Sequence, residues 1–128
     1  MKKTLLTFFV LLFTLLSFSQ DVENGPDFSD INSIEKAIDL YKKGSLTKIY
    51  MMPPEFGGED SPENTLYVPE FVKEFKNQFD NMVGDLLEEG KQLGFEAIPE
   101  YKGKSFVPSK LILMVTGDSE FTETIHIW

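Results

Sequence analysis

No cysteine and no arginine occur in the 128 residues, and only one histidine, His126. Without cysteine there is no disulfide, no thiol nucleophile, no thiolate metal site and no lipid-modified N-terminal cysteine, so the fold must rest on its hydrophobic core. Without arginine the chain lacks the planar side chain that grips phosphate through two parallel hydrogen bonds. Positive charge is scarce altogether: 12 lysines stand against 21 acids, a net charge of −9. Such a surface is repelled by nucleic acid and anionic membranes, and no nucleic-acid partner is expected; its electrostatic partners are cations or a basic protein. The same acidity also serves plain solubility.

Long apolar runs are missing except at the start. Lys2 and Lys3 precede Leu5–Leu16, a stretch of 12 residues broken only by threonines, short of the roughly 20 needed to span a bilayer as a helix. Ser17 and Ser19 put small residues where a signal peptidase cuts. Residues 1–19 therefore read as a signal peptide, and the chain as exported, periplasmic or secreted, with no membrane anchor after cleavage. The remaining 109 residues carry 10 lysines against 21 acids, or −11, and are enough for one domain. Residues 20–30, polar and carrying Gly25-Pro26, read as a flexible leader and 31–128 as a single domain.

Hydrophobic spacing organises that domain. Asn32 and Glu35 stand at capping-box spacing, Ile34, Ala37, Ile38 and Tyr41 mark one helical face, and Gly44 closes it. Thr47–Met52 reads as a strand. Residues 53–65 (PPEFGGEDSPENT) exclude regular structure, and Leu66–Val68 is extended. Pro69 suits a first helical position. After it Phe71, Val72, Phe75, Phe79, Met82, Val83, Leu86 and Leu87 form one apolar face, read as core packing, while Lys73, Lys76, Asp80, Glu88 and Glu89 keep the other face wet. Gly90 ends this helix. Gly94–Ile98 reads as a strand, Pro99–Pro108 as a connecting loop, and Lys110–Thr116 and Glu120–Trp128 as a hairpin turning through Gly117-Asp118-Ser119. On the last strand Phe121, Glu123, Ile125 and Ile127 share one face and Thr122, Thr124, His126 and Trp128 the other. The expected class is α+β: one long and one short amphipathic helix on a small, mainly antiparallel sheet.

From about Lys48 onward a series of landmarks recurs in a fixed order: Phe56-Gly57-Gly58, Asn64, Val68-Pro69, a helix ending in Glu89-Gly90-Lys91, then Pro99 to Pro108 (PEYKGKSFVP) and a closing hairpin. This order resembles the C-terminal half of the DNA/RNA non-specific endonucleases of the ββα-metal type, which include nuclease domains of secreted bacterial toxins. The resemblance implies a scaffold and, with it, a general-base histidine, a metal-binding asparagine and an arginine. Ile49-Tyr50-Met51-Met52-Pro53 stands where the histidine belongs, Lys73 to Phe75 where the asparagine belongs, and Val107 in place of the arginine. With those groups missing, the implied inheritance is the scaffold without the chemistry, and no catalytic residue is assigned.

Two loops gather polar groups. Tyr101, Lys102, Lys104 and Ser105 bring two cations and two hydroxyls together as a candidate ligand site, the alternative being a turn that anchors the hairpin through Tyr101 and Phe106. Glu55, Glu59, Asp60, Glu63 and Asn64 offer oxygen ligands for Ca²⁺ or Mg²⁺, without EF-hand spacing, the alternative being a solvated loop. Glu55, Glu59, Glu96 and Glu100 are formally available as paired carboxylates, and Ser105, His126 and an aspartate as a triad, but nothing in the sequence assembles either. His126 has only Thr122, Thr124 and Trp128 on its face, which complete no metal site. Gly57-Gly58 is a tight turn, since no Lys-Ser/Thr comes after it as in a phosphate loop. The functional expectation is an exported, non-catalytic binding domain with no obligatory cofactor. Two alternatives stand beside it: an inhibitor or immunity-type protein masking a basic toxin, and a metal-dependent hydrolase using the acidic loop.

Overall fold

Short helix α1 (Ile34–Lys42) leads into strand β1 (Thr47–Tyr50), and two single-turn 3-10 helices (Pro54–Phe56 and Pro62–Asn64) lead back into β2 (Thr65–Val68). The long helix α2 (Glu70–Glu88) comes next, then β3 (Leu93–Glu100), β4 (Lys110–Gly117) and β5 (Phe121–His126). These elements come from a computed structural model that describes residues 25–128; the signal expected over 1–19 lies outside them. The strands form two antiparallel sheets, a pair β1-β2 and a triplet in the order β3-β4-β5. The architecture is thus the expected α+β mix, with the sheet divided in two.

Local chemistry explains most boundaries. The cap of α1 is Ser33, whose hydroxyl accepts from the Lys36 amide at 3.2 Å. Asn32 lies one residue too early to cap and accepts instead from the Lys36 ammonium at 2.8 Å. Gly44, at φ +83°, turns the chain out of α1. Pro69 is the residue before α2 rather than its first member, because its ψ of 155° is still extended. The loop between β1 and β2 is less irregular than its prolines suggest, each 3-10 turn starting at a proline with its fixed φ. Gly58 is obligatory there: a Cβ would overlap the Met52 carbonyl oxygen. The leader is held from Phe28 on, whose carbonyl accepts from the Ser105 hydroxyl at 2.7 Å, and the Ile31 carbonyl accepts from the Phe106 amide at 2.7 Å.

β3 is longer than the sequence suggests. It runs through Pro99 to Glu100, in register from Leu93 opposite Gly117 to Glu100 opposite Lys110. The hydrogen-bond phase explains how a proline fits. The Ile127 amide donates to the Ser109 carbonyl at 2.7 Å, so by alternation Ile125, Glu123 and Phe121 turn their backbone groups toward β4. Leu111, Leu113 and Val115, their partners on β4, are then committed to β5, leaving the alternate β4 residues to bond β3. Pro99, opposite Leu111, points its missing N–H at the free edge of the sheet, where no bond is lost.

One core joins all layers: Ile49, Leu66 and Val68 from the pair, Val72, Phe79 and Val83 from α2, Leu111, Leu113 and Val115 from β4, and Ile125 and Ile127 at the C-terminus. Phe79 is its hub, with ring centroids 5.8 Å from Phe95 and 5.7 Å from Phe121. Two expectations for α2 are corrected here. Its apolar face is not all core: Phe71, Phe75 and Met82 are 40%, 56% and 41% exposed. Lys76, expected on the wet face, is 1% exposed. The buried arc Val72-Lys76-Phe79-Val83 is rotated away from the most hydrophobic line because the helix is covered from two sides, by the strand pair and the triplet.

This division predicts a contrast between neighbours on one helix. F79A should lower stability by about 3–5 kcal/mol, the usual range for emptying a buried aromatic site, whereas F75A should change it by less than about 0.5 kcal/mol. Urea unfolding of both variants at equal m-value checks it.

Candidate functional site

The residues singled out by sequence are dispersed. Ser105 is buried, and its hydroxyl donates to the Phe28 carbonyl and accepts from the Val107 amide at 3.1 Å. It pins the leader to the loop, and among the described residues its hydroxyl bonds only backbone groups, those of Phe28 and Val107. Lys102 lies over the Trp128 ring, 4.9 Å from its centroid. Trp128 in turn donates from Nε1 to the Val107 carbonyl at 3.0 Å and meets Phe28 edge-on. Tyr101 and Lys104 are exposed. The loop therefore anchors the segment at Phe28 and the C-terminal Trp128, with Tyr101, Lys102, Lys104 and Phe106 on its outer side.

In the acidic loop Asn64 faces the backbone, not a cation. Its Oδ1 accepts from the Met52 amide at 2.8 Å, and its Nδ2 donates to the carbonyls of Met52 and Glu59 at 2.9 Å each. Asp60 lies 3.8 Å from the Lys48 ammonium and raises the proton affinity of that lysine. Glu55, Glu59 and Glu63 are exposed. Among the described residues no three acidic or histidine side chains converge as metal ligands, so Glu55, Glu59, Asp60 and Glu63, expected with Asn64 to offer oxygen ligands for Ca²⁺ or Mg²⁺, are not gathered at one point. The side chains of an exposed loop splay apart unless something holds them, and here the one well-held member, Asn64, is spent on the loop itself. His126 sits on the outer face of β5, exposed and opposite Lys110.

Two concave surfaces flank α2, on opposite sides of its buried arc. The smaller, about 200 Å³, lies against β1 and is lined by Lys48, Tyr50, Glu55, Lys73, Lys76 and Asp80 among others. At its floor the Lys76 ammonium donates to both carboxylate oxygens of Asp80, one helical turn on, at 2.6 and 2.8 Å. The Lys76 ammonium also lies 5.3 Å from the centre of the Phe95 ring. Burial pulls the Lys76 pKa below the ordinary lysine value and pushes that of Asp80 above the ordinary carboxylate value, in each case against the attraction of the partner. Both charges are disfavoured by burial, and their pairing offsets that cost without turning it into a large gain.

The larger surface is a groove of about 470 Å³ between α2 and the edge strand β5. Phe71, Phe75, Phe79 and Met82 line it from the helix together with Gln78, and Leu113, Glu123 and Ile125 from the sheet together with Thr124 and His126. Its volume falls in the range of ordinary ligand sites, and apolar walls with few polar groups are their usual composition. Glu123 is its distinctive member. In the register it stands opposite Leu113, on the helix side of the sheet, where Phe121 and Ile125 are also directed. Unlike Ile125 it stays exposed, because α2 leaves that part of the sheet uncovered. Among the described residues no ion pair involves Glu123. The sequence does hold a signal for this groove: eight apolar residues on one helix face make a wider stripe than one core contact needs, and a glutamate interrupts the inward face of the last strand.

Searches against protein-family models, curated proteins and solved structures find no match to the chain. The groove and the buried pair are therefore read from their own geometry. Among the described residues no helix is long and apolar enough to cross a membrane.

The pair Lys76–Asp80 yields a test. D80A, which strands a buried ammonium, should cost about 3–5 kcal/mol, whereas the double replacement K76M/D80L should be neutral or stabilising. In D80A the folded state holds its Lys76 proton less tightly than the unfolded state does. Unfolding then takes up a proton as the pH approaches the ordinary lysine value of 10.5, and stability rises with pH through that window. The D80A deficit should accordingly shrink between neutral pH and 10.5, as measured by urea unfolding across that range.

Proposed function

We propose that this chain is a non-catalytic binding domain that acts outside the cytoplasm, that its contact surface is the groove between α2 and β5, and that its partner is a basic protein. The observation that carries the reading is the groove itself: two phenylalanines and a methionine, Phe71, Phe75 and Met82, left outside the core beside Glu123, which makes no ion pair among the described residues, on a chain of net charge −9. Exposed apolar side chains grouped in a concavity are costly to keep without use, and a carboxylate among them selects for positive charge. In its narrower form the partner is a basic toxin and this chain its inhibitor. Acidity and the resemblance to a scaffold found among secreted toxin nucleases support that form, and the sequence β1-β2-α2 has the β-β-α order such a scaffold would need. A hydrolase built on the acidic loop would need converging ligands, which the loop does not bring together.

The reading is tested by placing a photo-crosslinking benzoylphenylalanine at position 75 in the groove or at position 42 on α1, within the native host. A discrete adduct with a basic protein from position 75 and none from position 42 is expected, with a yield that falls as salt is raised. No adduct from position 75, or equal adducts from both positions, overturns the assignment of the groove.

A further inference from the structure

The rim of the groove is an open sheet edge. β4 is central, so β3 and β5 are both edge strands. At β3 the proline Pro99 interrupts the free edge near the strand's C-terminal end, a device that disfavours pairing there. β5 has no proline and no bulge between Phe121 and His126, and its register with β4 is unbroken. With Phe121, Glu123 and Ile125 bonded to β4, the amides and carbonyls of Thr122, Thr124 and His126 face outward. No backbone hydrogen bond from outside the sheet reaches these three residues among the described residues. Three unsatisfied N–H and C=O sets thus run along the same strand whose inward side chains floor the apolar groove.

Resting on the binding reading above, we propose that the partner enters as an extended segment that adds a fourth strand to β5. Its backbone pairs with Thr122, Thr124 and His126. Side chains at alternate positions turn under Phe71, Phe75 and Met82, and one of these is a lysine or arginine that meets Glu123. Charge chooses this occupant over a second copy of the chain. Pairing β5 with another β5 would bring Glu123 of each copy into an apolar interface without a cation, between two bodies whose residues 20–128 each carry −11, 10 lysines against 21 acids, and both terms oppose it. A strand with a basic residue satisfies the same carboxylate and removes the same apolar surface from water.

The probe is the acetylated, amidated peptide TVTKTVT, with TVTETVT as its control, added at millimolar concentration to the isotope-labelled chain. Amide exchange at Thr122, Thr124 and His126 should slow by about tenfold or more with the lysine peptide and stay unchanged with the glutamate peptide. In E123K the preference should reverse, the glutamate peptide becoming the protecting one. F75A, which leaves the core intact, should weaken protection while keeping the lysine preference. Shifts confined to groove side chains, with no amide protection, would overturn strand addition, as would protection that appears without peptide and grows with chain concentration. If crosslinking from position 75 persists while neither peptide protects β5, the strand mode falls and the groove assignment stands. If crosslinking also fails, both fall together.

Discussion

Helix α2 has to be covered twice, and the rest of the molecule is arranged around that requirement. On one side it meets the strand pair through Ile49, Leu66 and Val68, and on the other the triplet through Leu111, Leu113 and Val115. Phe79, set between Phe95 and Phe121, ties the helix to the outer strands of the triplet while Leu113 closes from the central one. Neither sheet is self-sufficient, since a two-stranded ribbon is marginal alone and a three-stranded sheet needs one face packed. The helix supplies that packing for both, and the chain has no cysteine with which to reinforce it by a disulfide. The order of the chain serves the same end: α2 comes after β2 with a single residue, Pro69, between them, so the pair and the helix are locally connected, and the triplet closes over them last.

Covering a helix from two directions rotates its buried arc, and this is what a linear reading misses. The positions of both helices, the strand pair and the closing hairpin can be read from spacing and from turn residues, because each depends on neighbours a few residues away. Charge alone assigns Lys76 to solvent, yet its four-carbon stem fits the buried arc and its ammonium reaches Asp80 along the same helix. Hydrophobicity alone assigns Phe71, Phe75 and Met82 to the core, yet the arc is already filled without them. Which flank of a wide stripe is covered depends on where the second sheet packs, and that is a long-range property. Pro99 shows the same limit in a strand: its tolerance rests on hydrogen-bond phase relative to β5, set by residues nearly thirty positions downstream.

The polar loops illustrate a different limit. Composition marks Asn64 and Ser105 as chemically capable, and both are in fact engaged in hydrogen bonds, but with backbone. An amide that contacts Met52 and Glu59 on both sides, or a hydroxyl that joins Phe28 to Val107, has the same sequence signature as a ligand-binding group. Only the direction of the side chain separates the two uses. Short polar residues in proline- and glycine-rich segments have many backbone groups within reach, so holding a loop is what they do first.

Glu123 is where the constraints on fold and on binding meet. An inward-pointing charge on an edge strand is a known protection against edge-to-edge association, because any apolar strand that adds there must bury an unpaired carboxylate. The other edge is protected by Pro99, which removes a donor and so disfavours every added strand alike. The two devices differ in selectivity. A proline cannot be neutralised by the incomer, whereas a carboxylate can be, by one lysine or arginine in the right position. The sheet therefore has one edge carrying an obstacle that no incoming strand can neutralise and one edge whose obstacle a matching cation removes. By that asymmetry, self-association through the apolar side chains of α2 beside β5 is disfavoured while binding of a basic strand is not. The net charge repels further copies at a distance, Glu123 penalises those that arrive, and the same two terms change sign for a basic strand.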